Sequence, residues 1–209
     1  MRTLAIGDIH GCAAAFDTLL GFIQLKPKDT LITLGDYVDR GPDTKGVLDR
    51  LCELKLTGQL IPLRGNHELM MLEARYNRSA FRSWFSFGGA EALESYGAST
   101  LYDIPETHWH FIKHSCVDWH ETDTHIFVHA NLHPTLPLDE QTSEYLHWEF
   151  LSLTQHKPHY SGKTMLCGHS EQRDGLPLKL ERAICIDTHA YAAGWLTCLD
   201  VNSGDYWQA

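Results

Sequence analysis

An α/β fold with a parallel sheet is predicted by three features of the 209-residue chain. Short apolar runs with strand character lie at Leu4-Ala5-Ile6, Thr30-Leu31-Ile32-Thr33-Leu34 and Leu60-Ile61-Pro62-Leu63. The stretches between them carry apolar residues at helical spacing. Each run then breaks into a polar cluster that contains or is flanked by glycine. This βαβαβ order places the carboxyl ends of the strands on one edge of the sheet, where ligands of open α/β sheets lie, so the clusters are expected to converge there.

The first run leads into Gly7-Asp8-Ile9-His10-Gly11. Residues two apart in an extended segment point the same way, so Asp8 and His10 can meet one ion while Ile9 faces the core. Phe16, Leu19, Leu20 and Ile23 form the apolar face of the first helix, which Lys26-Pro27-Lys28-Asp29 closes. The second run ends in Gly35-Asp36-Tyr37-Val38-Asp39-Arg40-Gly41, two carboxylates and a guanidinium in one loop. Read alone, that loop is either a solvated Asp-Arg pair or a carboxylate pair partnered by a cation. A second helix follows with Val47, Leu48, Leu51 and Leu54 on one face, and the third run ends in Arg64-Gly65-Asn66-His67-Glu68. Residues 67 to 97 read as mostly helical, broken at Trp84-Phe85-Ser86-Phe87-Gly88-Gly89. That double glycine either offers backbone N–H groups to an anion or is a plain helix break. Pro105 is expected to open a helix carrying Trp109 and Ile112, with the nearby histidines at the surface. Further strands are expected at Ile126-Phe127-Val128, ending in His129-Ala130-Asn131, and at Thr164-Met165-Leu166-Cys167, ending in Gly168-His169-Ser170. Residues 183–187 and 196–201 read as strands too. Without repeats, low-complexity tracts or linkers, residues 1–209 are expected to form one domain.

A composition of 43% hydrophobic and 21% charged residues is that of a soluble globular protein. The short apolar runs and the position of Asp8 inside the first motif lead us to expect neither a signal peptide nor a membrane span. Six cysteines without Cys-x-x-Cys spacing argue against a zinc knuckle or a disulfide framework and for reduced thiols in a cytoplasmic protein. A formal charge of −10 speaks against nonspecific nucleic-acid binding.

Five strand ends together offer Asp8, His10, Asp36, Asn66, His129 and His169. Carboxylate, amide and imidazole without thiolate suit a hard or borderline divalent ion, manganese before iron or zinc. Six donors exceed one tetrahedral site, and with Asp36 bridging they divide into two, as in two-metal enzymes whose ions lie roughly 3.5–4 Å apart.

Gly-Asp-Ile-His-Gly at 7–11, Gly-Asp-Tyr-Val-Asp-Arg-Gly at 35–41, Arg-Gly-Asn-His-Glu at 64–68, His129 and Gly168-His169 resemble the signature blocks of the metal-dependent phosphoprotein phosphatases, calcineurin-like metallophosphoesterases, in their compact bacterial and bacteriophage branch. The resemblance spans nearly the whole chain. It implies an α/β/β/α sandwich with a dinuclear centre at the strand ends, Asp8, His10 and Asp36 on one metal and Asp36, Asn66, His129 and His169 on the other. It also implies His67 as general acid oriented by Asp39, Arg40 and Arg64 as phosphate-binding residues, and direct attack by a hydroxide bridging the metals. Such a site would be net positive and would attract a phosphate despite the acidic chain.

Three departures from the family pattern stand out. Asn131 and His189 replace customary glycines, and Trp148 is followed by Glu149 and Phe150 where the family often has an arginine, leaving Arg173 as a weak substitute. The protein-phosphatase form of Asp39-Arg40 favours a phosphoserine, phosphothreonine or phosphotyrosine substrate, on a protein or a small molecule. The alternative is a dinucleoside polyphosphate hydrolase, because Trp84…Gly88-Gly89…Ser95-Tyr96-Gly97 resembles a segment of the bacterial diadenosine tetraphosphatases. In those relatives the residue matching Asp39 is typically not acidic. A non-catalytic binding module ranks last, since every inferred ligand and His67 are intact.

Overall fold

The computed structural model describes residues 1–209. The first three apolar runs form β1 (Thr3–Ile6), β2 (Thr30–Thr33) and β3 (Leu60–Pro62), mutually parallel, with α1 (Ala13–Ile23) and α2 (Thr44–Leu56) as crossovers. Two antiparallel strands, β9 (Thr197–Asp200) and β10 (Tyr206–Gln208), extend this sheet to the order β10-β9-β1-β2-β3. A second sheet has the order β4-β5-β6-β8-β7, from β4 (Trp119–Glu121), β5 (His125–Val128), β6 (Thr164–Cys167), β7 (Leu178–Leu180) and β8 (Ala183–Cys185). Its central strands β5, β6 and β8 are parallel.

Strand periodicity shows why the two sheets stack. In β1, Leu4 and Ile6 join the core beneath the helices while Ala5 faces the other way. In β5 and β6, Ile126, Val128, Met165 and Cys167 face outward, and Phe127 and Leu166 turn inward to meet Ala5, Ile32, Leu34, Leu63 and Leu199. Side chains alternate across each strand, so two half-apolar strand sets must bury both faces, giving the α/β/β/α layering. The helical layer over the first sheet is thick. Over the second, only the five-residue α7 (Ser143–His147) and loops supply Leu146, Leu132 and Leu151.

Between β3 and β4 the chain forms α3 (Asn66–Ala74), α4 (Arg78–Trp84), a sharp bend at Phe85–Gly89, α5 (Ala90–Tyr96) and α6 (Glu106–His110), which continues as a wider turn to Ser115. The helix expected after Pro105 is therefore present. Not every histidine there is at the surface: His108 is buried, its Nε2 facing Asp49 at 3.0 Å and its Nδ1 facing the Tyr96 hydroxyl at 2.6 Å. All six cysteines are free thiols, four of them buried. No helix is long and apolar enough to cross a membrane.

Candidate active site

The clusters meet at the carboxyl ends of six parallel strands. Asp8 and His10 follow β1, Asp36, Asp39 and Arg40 follow β2, and Asn66 and His67 follow β3 in the first turn of α3. From the second sheet come His129 after β5, His169 after β6 and Asp187 after β8. Six non-glycine residues here take left-handed backbone: His10 (φ 42°), Asp36 (49°), Asp39 (70°), Arg40 (66°), His169 (61°) and His189 (63°). Such conformations cost of order 1 kcal/mol each and persist only where the surroundings enforce them. Glu68 is one enforcer. Fully buried, it accepts from the backbone N–H groups of Asp36 (2.8 Å), Tyr37 (2.7 Å) and Gly65 (2.8 Å), tying the β2 and β3 loops together. Burial and the nearby Asp36 push its carboxyl up to about 7 against the pull of those donors.

Backbone carbonyls fix the histidine tautomers. His10 and His129 donate Nδ1–H to Val38 O (2.9 Å) and Leu34 O (2.8 Å), whereas His169 donates Nε2–H to Trp148 O (3.0 Å). The lone pairs therefore face inward. His129 Nε2 and His169 Nδ1 lie 2.8 and 3.1 Å from Asn66 Oδ1, acceptor against acceptor, an arrangement that a shared cation satisfies. Asp36 sits between two groups whose ligand atoms all lie within 4.8 Å of one another, one with His10 and His67 and one with His129 and His169. Burial pushes its carboxyl up, but the imidazoles of His129, His67, His10 and His169 outweigh this and hold it well below the usual range. Burial also drives His10 down to about 3 and His129 to about 4, leaving neutral, ligand-ready rings.

Asp8 stands beside these groups rather than in them. Its carboxylate accepts the His169 backbone N–H at 3.1 and 3.2 Å. Burial, then Asp187 and Asp36, push it well above the ordinary carboxylate range, and burial raises Asp187 to about 7. Of the three buried carboxylates Asp8, Asp36 and Asp187, only Asp36 has ion-pair partners in the chain, His10 and His129, and divalent cations would supply the missing countercharge. On donor chemistry and charge, the residues present fit a metal centre.

His67 meets Asp39 through Nδ1 and Oδ2 at 2.7 Å, and Trp84 Nε1–H lies 2.9 Å from both Asp39 oxygens. Burial alone would lower His67, but Asp36 and the bond to Asp39 prevail and raise it. Arg40 faces a cavity of about 630 Å³ shared by Asp8, His10, Asp36, Asn66, His67, His169 and Asp187. Its guanidinium donates to Glu171 at 2.9 Å and lies 4.7 Å over the Tyr191 ring.

Arg64, expected beside it, does not line the cavity. It donates to Asp118 (2.5 Å) and to the carbonyls of Ile112, Lys113 and Cys116, pinning the segment before β4. The Arg64 backbone is fixed by the β3 loop, but the carboxylate and carbonyls that capture its side chain come from some fifty residues downstream. Arg173 does line the cavity, as do Phe87, Trp148 and Phe150, the last stacked on His169 at 4.6 Å. Asn131 turns away and donates to Phe150 O, while His189 stands 3.8 Å from Glu171.

The sequence alone assigns no site role to Glu68, Trp84, Glu171 or Asp187. Asp187 shared the signal of the others, an acid at a strand end. Glu171 carried none.

Residues 1–189 match the family model described as calcineurin-like phosphoesterase, and the chain belongs to that family of metallophosphoesterases. Among curated relatives, it is 46% identical over 77 residues to a symmetrical bis(5'-nucleosyl)-tetraphosphatase of Acidovorax sp. strain JS42, covering 36% of this chain and 27% of that protein. It is 41% identical over 85 residues to serine/threonine-protein phosphatase 1 of Salmonella typhimurium strain LT2, covering 40% and 37%. The matches thus span well under two thirds of those relatives. A solved structure provisionally assigned as a diadenosine tetraphosphatase superposes with a TM-score of 0.74 over 100% of this chain and 92% of that one, at 23% identity, and shows the shared fold.

Proposed function

We propose that residues 1–209 form a catalytic domain that hydrolyses phosphoric esters or anhydrides, with a dinucleoside polyphosphate as the substrate that fits best. The observation that carries the reaction is Asp36 shared between two imidazole groups, with His67 beside it and Arg40 facing the same cavity. Two divalent ions, manganese before iron or zinc, held by Asp8, His10, Asp36, Asn66, His129 and His169, would polarise the phosphoryl group and activate water near neutral pH. Arg40 orients a phosphate from the cavity wall. His67, its Nδ1 held by Asp39, presents Nε2 to the leaving oxygen and, when protonated, donates a proton to it as it departs.

For the substrate, the tetraphosphatase relatives and the exposed aromatic wall of Phe87, Trp148 and Phe150 favour a nucleotide, since bases stack on such rings at about 1–3 kcal/mol each. This reverses the order expected from sequence. The intact Asp39–His67 pair supports the second reading, a phosphomonoesterase acting on phosphoserine, phosphothreonine or phosphotyrosine. A nucleoside diphosphate leaves readily without a proton, whereas a serine alkoxide does not. Six free thiols fit a reducing compartment such as the cytoplasm.

The test is a panel of diadenosine tetraphosphate, a phosphoserine peptide and p-nitrophenyl phosphate, each with manganese and with chelator. The dinucleotide should turn over with the highest kcat/KM, and chelator should abolish all three activities. Turnover of the peptide with none of the dinucleotide would establish the second reading, and undiminished activity after metal stripping would sink both.

A further inference from the structure

Trp84 hydrogen-bonds to none of the proposed metal donors, does not line the cavity of Arg40 and His67, and is fully buried beside the dyad. Its indole N–H lies 2.9 Å from both Oδ1 and Oδ2 of Asp39, while Oδ2 also meets His67 Nδ1 at 2.7 Å. The Asp39 backbone is fixed separately, its N–H donating to Thr44 Oγ1 at 3.1 Å. That leaves rotation of the carboxyl group as the freedom by which the dyad could come apart. A donor straddling both oxygens removes it.

The indole is itself held in place. At the end of α4 the chain bends through Phe85–Gly89, and a Cβ on Gly89 would run into the fused carbons of the indole. Gly88, at φ 110°, accepts the Arg40 N–H through its carbonyl at 3.2 Å, and any side chain there would collide with Arg40. The double glycine thus brings one bend against both the Trp84 ring and the Asp39-Arg40 backbone. This gives the Gly88-Gly89 pair a packing role.

We infer that Trp84 is a positioning residue for the dyad, its indole N–H locking the Asp39 carboxylate in the orientation that accepts from His67 Nδ1. The inference rests on the proposed general-acid role of His67. Trp84 acts through Asp39 on the aim of the His67 ring, and so on proton delivery rather than on substrate binding.

Trp84→Phe removes the donor and keeps most of the ring. In the otherwise wild-type protein it should lower kcat on an alkyl phosphate by about 10-fold or more, the loss expected of a hydrogen bond to a charged group, with KM unchanged. On p-nitrophenyl phosphate the loss should stay below about 2-fold, because that leaving group needs little protonation. In the Asp39→Asn background the same substitution should change kcat by less than about 2-fold. Equal losses in both backgrounds, or on both substrates, would make Trp84 merely structural and overturn the inference. Asp39→Asn alone without leaving-group preference would overturn the general-acid reading and this inference with it, whereas a normal Asp39→Asn beside a silent Trp84→Phe overturns Trp84 only. Should Trp84→Phe fail to fold, the indole N–H resonance of Trp84 in 15N-labelled wild type and Asp39→Asn decides. It should shift further than those of the other tryptophans, and an unmoved signal overturns the inference.

Discussion

His67 and Asn66 are neighbours with different tasks. Both lie in the first turn of α3, where successive side chains diverge by about 100° around the helix. Asn66 therefore faces His129 and His169 while His67 faces Asp39. His67→Asn is expected to retain metal and to lose roughly 10²–10⁴-fold in turnover of an alkyl phosphate, with a smaller loss on a nitrophenyl ester. Metal analysis beside the two rates checks this; loss of metal would make His67 a supporting ligand, as its place in the His10–Asp36 group allows. Asp36→Asn removes the one carboxylate common to both groups. Calorimetric titration with manganese should then find binding weakened at both sites, and two ions still tightly held would remove Asp36 from the bridge.

At the scale of elements, the site depends on loops pressed together without intervening side chains. Gly41 closes the β2 loop against the β1 loop, and a Cβ there would overlap the carbonyl oxygen of His10. Neither partner is a flexible side-chain end, so Gly41→Ala must part the loops that carry His10 and Asp39. The expected cost is about 1–3 kcal/mol in chemical unfolding, with weakened metal binding, since overpacking cannot be relieved by a rotamer change. Unchanged stability and affinity would show that the two loops move independently. The strands that escaped sequence reading, β4, β7 and β10, are three-residue antiparallel pieces on sheet edges. Edge strands bury little and need no long apolar run, so they left no periodic signal.

Across the whole molecule, one ion pair links the start of the chain to the β2 entrance. Asp29, almost fully buried, accepts from Arg2 Nε (2.9 Å), Arg2 Nη2 (2.5 Å) and the backbone N–H groups of Arg2 (2.9 Å) and Lys26 (3.0 Å). The Arg2 hydrogen bonds hold its carboxyl well below the usual range. A depressed carboxylate stabilises the fold fully above its unfolded value of about 3.9, and the contribution disappears as pH falls from there towards the folded value. Asp29→Asn should thus cost roughly 1–3 kcal/mol at pH 7, and the gap from wild type should narrow below about pH 4 in urea titrations. A gap independent of pH would mean that the loss is one of packing.

The sequence by itself determined the α/β class and the central strands and put ligand-type side chains at the strand ends, because buried strands must be apolar and each such run breaks into polar residues at its end. Asp8, His10, Asp36, Asn66, His129 and His169 were legible for that reason, and Asp39 and His67 from the family motif. Tertiary structure alone decided the partners. Arg64 is captured by Asp118 and Arg40 by Glu171, and Trp84 and Glu68 serve Asp39 and the loop backbones. A side chain's type and local period are written in its neighbourhood of the chain, but which charge it meets depends on where segments fifty or a hundred residues apart come to rest. The same physics set the histidine tautomers, since the carbonyls of Val38, Leu34 and Trp148 that fix them belong to other loops.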